Sequence, residues 1–300
     1  MYSFNGKPFS DYGIISTKPS DSDLSISGCW DMPSRTGKTH HVWPDDIGLE
    51  PYVRADEIFF SGRDIVFRGH IQSASREGAL VAVNKFISDI DSATTLAPLT
   101  CPWGTWNVYV KDAIAISYMS NGISAITITF REPVVTVPTY IPVGNGGIGI
   151  DGIAFEELGL VKLVTSDQFD RSAIKGAEQT VYGSEAWKVT KRTFREFNLK
   201  FAINEPSYAS FISTVSIVHA LFAKAGVRTL TLDDGSVREF FVKDGFSVSG
   251  LRRNGETTFA YLDVKISEIR LLENWNKFSD GGLVLVDKYG QPLAELIKMI

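Results

Sequence analysis

The feature that most constrains this 300-residue chain is that it repeats itself. Phe4-Asn5-Gly6 leads through Phe9, Asp11 and Tyr12 to Gly13-Ile14. Ile150-Asp151-Gly152 leads in the same order through Phe155, Glu157 and Leu158 to Gly159-Leu160. Each stretch reads as a strand, an Asn-Gly or Asp-Gly turn and a second strand, because those dipeptides supply the left-handed backbone a two-residue hairpin needs. A fold for this chain has to accommodate one β-rich unit twice.

Two further matches extend the repeat. Val110-Lys111-Asp112 and Val242-Lys243-Asp244 each precede a strand-like run, then an Asn-Gly turn at Asn121-Gly122 or Asn254-Gly255. Each turn opens onto an alternating strand, Ile126, Ile128 and Phe130 in one half and Leu262, Val264 and Ile266 in the other. A period of two marks a half-buried strand. In the middle of each half, Ile65, Phe67, Gly69 and Ile71 match Phe197, Leu199, Phe201 and Ile203. A helix is predicted after each: Leu80, Val83, Phe86, Ile87 and Ile90 form one apolar stripe, and Phe211, Val215, Val218 and Phe222 form the other. His219 falls within the second helix and is expected at its polar edge.

The halves differ between their early strands. The first carries a long tract from Cys29 through Met32-Pro33-Ser34-Arg35 and Gly37 to Asp56, read as an extended arm over about residues 30–56. The second is expected to cover the equivalent ground with far fewer residues, around Gly176 to Lys188. These features divide the chain into a first domain at 1–132, a Pro- and Gly-rich linker at 133–149, a second domain at 150–272 and a tail at 273–300. In that tail, Gly282–Asp287 reads as a strand and Pro292–Met299 as a short helix. The predicted fold class is mainly β with one helix per domain, two tandem domains related by internal duplication.

Composition excludes several classes. Hydrophobic residues at 44% and charged residues at 22% describe a folded chain. A net charge of −5 argues against a nucleic-acid grip, which needs a clustered basic face. No apolar run reaches 18 residues, so no membrane span is expected, and no membrane is counted among the partners. The first residues lack a basic segment followed by an apolar one, so no signal peptide is expected. Cys29 and Cys101 fit a reducing compartment; they could pair in space, but free buried thiols are the favoured reading.

The opening strand-turn-strand ending in Asp11-Tyr12-Gly13-Ile14, with Asp31-Met32-Pro33-Ser34-Arg35-Thr36-Gly37 after it, resembles the start of phage distal tail proteins. The resemblance covers residues 1–130. It implies a tail-tube-like β-sandwich or split barrel with one flanking helix and a protruding arm. Ser34 stands where that family usually has Gly. Members of the family often carry a carbohydrate-binding-like sandwich next, whereas here a second tube-like domain follows, as in trimeric baseplate hubs. The resemblance implies a structural virion protein, assembled in a bacterial cytoplasm. It would form a closed ring of six or three chains at the distal end of the tail tube. Its implied partners are itself, the tail tube protein and the tip, hub or receptor-binding proteins, with DNA only in transit. Baseplate hub and carbohydrate-binding module are the alternatives.

No chemical motif competes with that reading. Gly37-Lys38-Thr39 mimics the end of a phosphate loop, but Met32 replaces the required glycine and His40-His41-Val42-Trp43-Pro44 follows where a helix should start. His40 and His41 are neighbours, pointing to opposite faces of a strand, and His70 and His219 stand apart, so no metal set is expected. Asn121-Gly122-Ile123-Ser124-Ala125 lacks the last glycine of a nucleophile elbow. Asp45-Asp46 and Asp233-Asp234 read as turn residues. Catalytic residues, cofactor and metal are therefore expected to be none. Arg35, Lys38, His40, Trp43, Arg54, Trp103 and Trp106 are the expected contact residues toward another subunit or partner. The first five form a basic, aromatic arm, and the two tryptophans suit an interface more than a sugar platform. The second half is read as having Gly226 to Leu230 in their place.

Overall fold

The computed structural model describes residues 1–20, 22–42, 49–120, 122–165, 167, 170, 174–179, 187–192 and 194–269. Alternating burial builds the central strands. β7 (Arg63–Gln72) buries Ile65, Phe67 and Ile71, and β11 (Ile123–Glu132) buries Ile126, Ile128 and Phe130. β17 (Glu196–Glu205) and β21 (Thr257–Glu268) do the same with Phe197, Leu199, Phe201, Leu262, Val264 and Ile266. β7 and β11 pair antiparallel along their whole length, and β17 pairs along its whole length with β21.

Around these pairs each half assembles one sheet in one order. The first half contributes β1 (Ser3–Phe4), β2 (Lys7–Pro8), β3 (Ile14–Ser16), β4 (Ile26–Ser27), β8 (Ala97–Cys101), β9 (Gly104–Val110) and β10 (Ala115–Ser120). Its sheet runs β2-β1-β8-β9-β11-β7-β3, with β10 added on β11 and β4 on β7. The second half contributes β12 (Gly149–Ile150), β13 (Ile153–Ala154), β14 (Leu160–Leu163), β18 (Arg228–Thr231), β19 (Val237–Phe241) and β20 (Phe246–Asn254). Its sheet runs β13-β12-β18-β19-β21-β17-β14, with β20 added on β21. Each sheet is antiparallel and curls into a half-barrel.

Local chemistry repeats with the topology. The two opening hairpins turn on Asn5-Gly6 (φ 50° and 75°) and Asp151-Gly152 (φ 53° and 76°), the positive pair that matches strand twist. The helices α1 (Arg76–Asp91) and α2 (Tyr208–Ala223) follow β7 and β17. Ser75 Oγ accepts from Gly78 N at 3.1 Å, and Ser207 Oγ accepts from Ser210 N at 3.1 Å, one cap used twice.

Four expectations need correction. Leu80 is 38% exposed, and Ala79 takes its place on the buried stripe beside Val83, Phe86 and Ile90. His219 is not an edge residue: it is 6% exposed, between Phe60 and Phe246. The second half also carries a hairpin off its main sheet, β15 (Ile174–Gln179) with β16 (Trp187–Arg192). It matches the arm hairpin β5 (His40–Val42) with β6 (Leu49–Pro51), so the halves differ less here than their motifs suggest. The fourth concerns the tryptophans: Trp106 pairs with Leu99 where Arg238 pairs with Leu230. Its counterpart is therefore Arg238, and the turn holding Trp103 corresponds to Asp233-Asp234, not to Gly226–Leu230. Residues 133–148 hold no strand or helix. The expected tail elements, Trp43, Pro44 and Asp45-Asp46 lie outside the described residues.

Candidate functional site

The most built-up feature of the molecule is the seam where the first half closes over the second. Residues 22–35, between β3 and β7, run along the outer edge of β20. Asp23 N donates to Leu251 O at 2.7 Å, Met32 N to Phe246 O at 2.9 Å and Arg35 N to Lys243 O at 2.8 Å. The carboxylates of two aspartates add to this ladder, Asp31 accepting from Val248 N at 2.8 Å and Asp23 from Arg253 N at 2.8 Å. Satisfying an exposed strand edge in this way removes a row of unpaired groups.

Apolar packing follows the ladder. Leu24 and Met32, from the first half, lie in the second half's core. Trp30 and Trp103 pack against both cores. The Trp30 ring stands edge-on to Trp106 at 5.9 Å and to Phe211 at 6.0 Å. Trp103 meets Tyr208 at 5.0 Å, with the Arg253 guanidinium 5.7 Å above its ring, and Tyr208 Oη donates to Trp103 O. Gly245, at φ +71°, lies so close under Met32 O that a Cβ has no room.

The sequence-predicted contact residues fall on or beside this seam. Arg35 donates from its guanidinium to Tyr52 O and Glu57 O, and stands 6.0 Å over Phe241. Burial draws its pKa below the usual value. His40 packs on Phe194 at 5.4 Å and Phe241 at 5.9 Å, and burial followed by the nearby Lys243 charge lowers its pKa. Lys38 stays within the arm, 3.3 Å from His41 Nδ1 and 5.3 Å from the Tyr52 ring. Arg54 is exposed in a turn that Glu57 closes by accepting from Arg54 N. Trp43 lies outside the described residues. Val53 O accepts from Gly226 N at 2.7 Å, and Leu49 shares a small core with Phe241 and Ile269. The described part of the arm packs on the chain's own second half.

Neither tryptophan offers an open sugar platform: Trp106 is 8% exposed, and Trp103 is covered by Tyr208 and Arg253. A polar cavity of about 450 Å³ opens along the seam, lined among others by Asp31, Arg63, Asp64, Arg131, Asp244 and Lys265. Several of its charges are held in ion pairs. Asp64 accepts from Lys111 and Arg131 at 2.7 Å each, and these partners hold its pKa below normal despite burial. Arg63 is bound to Glu132 at 2.6 Å. Among the described residues no group of three His, Cys, Asp or Glu is placed to hold a metal. Asp234 accepts from Ser236 N, a turn role. Cys29 and Cys101 are buried and free, and burial raises both thiols.

The seam aspartates, Leu24, Met32 and Tyr208 were missed by sequence reasoning. Their partners are more than a hundred residues away, and a single long-range hydrogen bond leaves no periodic trace.

No protein-family model matches the chain, and no curated protein does. Among solved structures it is similar to SPP1 Dit (gp 19.1), titled a paradigm of the hub adsorption apparatus in phages infecting Gram-positive bacteria. The identity is 12% and the TM-score 0.34, covering 90% of this chain and 98% of that one.

Proposed function

We propose that the chain is a structural ring protein of a phage or prophage tail, set at the distal end of the tail tube and joining it to the baseplate or tip. The observation that carries this is the seam. Two units of one topology meet through unlike surfaces, a tract on the first and a strand edge on the second. Contacts of that head-to-tail kind propagate, and they close into rings when the rotation allows. The Asp-Tyr-Gly-Ile and Met-Pro-Ser-Arg-Thr-Gly motifs supply the resemblance to distal tail proteins.

In this role the paired β units surround a lumen through which DNA passes. The net charge of −5 suits a wall that DNA slides past without sticking. Native mass spectrometry of the purified full chain, with electron microscopy of the same sample, tests the reading. A ring of six chains with an open lumen is expected for a distal ring, and three chains mark the spike-carrying hub instead. A chain that stays monomeric at every concentration overturns both.

A further inference from the structure

The seam joins a tract of the first half to an edge of the second, and each half owns one of each. Left over, among the described residues, are the edge of β10 in the first half and, on the tract that follows β14 in the second, the exposed Asp170. Resting on the ring reading, we propose that a second copy of this chain fills the free edge. Asp170 of one chain accepts the outward N–H of Ile116 in the next, as Asp31 accepts that of Val248 within the chain.

The backbone already holds Asp170 where this requires. Arg63 donates Nε to Glu132 at 2.6 Å and Nη1 to the carbonyl of Asp31 at 3.2 Å. Arg195 donates Nε to Glu268 at 2.7 Å and Nη1 to the carbonyl of Asp170 at 3.3 Å. One arginine fork thus anchors each aspartate to the start of the equivalent strand. Only the side chains differ in company: the Asp31 carboxylate lies in the seam, while Asp170 is exposed.

The receiving edge matches in register. Val248 stands opposite Leu262, which stands opposite Phe201; Ile116 stands opposite Ile126, which stands opposite Gly69. Leu262 and Ile126 are the same position of the repeat, so Ile116 directs its N–H away from β11 as Val248 does from β21. Among the described residues β10 pairs with β11 alone. The exposure is that of a surface awaiting cover. Phe246 and Val248 are 3% and 9% exposed, whereas Ile114 and Ile116 are half-buried and Tyr118 is 48% exposed.

Charge agrees with the same docking. In the seam, the Trp103 turn meets Tyr208, the first residue of α2. The corresponding turn of the second half carries Asp233 and Asp234, and the first residue of α1 is Arg76. The acidic turn therefore meets Arg76, with Glu77 beside it, when the relation is repeated between chains. Ala113 stands where Gly245 lies under Met32 O, so the contact between chains centres on Ile116 and not on the start of the strand.

The test is a disulfide. Two cysteines brought into contact at these positions, with Cα atoms within about 7 Å and facing Cβ atoms, can be oxidised to a disulfide. The full chain carrying both Asp170→Cys and Ile116→Cys is oxidised and run without reductant, beside the two single variants. Expected is a ladder of linked chains ending at the ring size seen by native mass spectrometry, and none in the single variants. Asp170→Ala, at an exposed position, is expected to keep the circular dichroism of the native chain while raising the concentration for half-assembly about tenfold. A ring that forms without the ladder and is indifferent to Asp170→Ala overturns this contact and leaves the ring reading standing. A wild-type monomer overturns both.

Discussion

α1 and α2 begin from the same serine cap, span 16 residues each and follow equivalent strands, yet they are buried differently. α1 buries Ala79, Val83, Phe86 and Ile90 and leaves Leu80 and Val81 38% and 69% exposed. α2 buries eight residues, from Phe211 to Phe222, including Thr214 and His219. A helix covered on one side shows a stripe, and one covered on two sides is apolar nearly all round. The second cover of α2 is the first half's own Trp30, Phe60 and Trp103. What separates the two helices is therefore the seam, and the composition of α2 is a record of it.

The largest effect should come from removing the residue that belongs to both surfaces. Phe211 is fully buried, lies in the second core and meets Trp30 edge-on at 6.0 Å. Phe211→Ala is expected to cost about 3–5 kcal/mol in denaturant unfolding. Leu80→Ala, on the exposed side of α1, should stay within about 0.5 kcal/mol of the parent. Equal costs would erase the distinction between a covered and an uncovered helix.

His219 sharpens the comparison through pH. Phe60 of the first half and Phe246 of the second flank its ring, and its Nε2 has no hydrogen-bond partner. Burial first, and the Arg63 charge second, lower its pKa from 6.5 to about 4. The unfolded chain takes up the proton below 6.5 and the folded chain does not until about 4. The contribution is thus present above 6.5 and is lost as pH falls through the folded pKa, amounting to about 3 kcal/mol across that window. His219→Phe should flatten the stability profile between pH 6.5 and 4. An unchanged slope would mean that water reaches the ring and that the seam is looser than its packing.

How much of this was legible follows from the range of the interactions. β7, β11, β17 and β21 announce themselves because alternation is local, and the Asn-Gly and Asp-Gly hairpins because two residues decide them. The helix faces were nearly right, failing only where Ala79 hides among larger neighbours and where His219 has a polar name in an apolar place. The seam was illegible: Asp31 and Val248 lie 217 residues apart, and nothing near either foretells the other. Matching Trp103 and Trp106 to Gly226–Leu230 failed because short strands slide against one another in sequence until cross-strand pairs fix their register.

The smallest effect tests whether the helices are equal where the seam does not reach. Ser75 and Ser207 have nearly the same backbone angles, φ −147° and −149°, and each binds the N–H three residues on at 3.1 Å. Replacing either by Ala leaves one helix-end donor without its acceptor, and each change should cost about 1 kcal/mol in thermal or denaturant unfolding. The cap energy depends on the first turn alone, so the two values should agree. A markedly larger loss for Ser207→Ala would show that the start of α2, where Tyr208 holds Trp103, transmits its position to the seam. The helix would then serve as part of the joint between the halves, and not only as a wall of the second core.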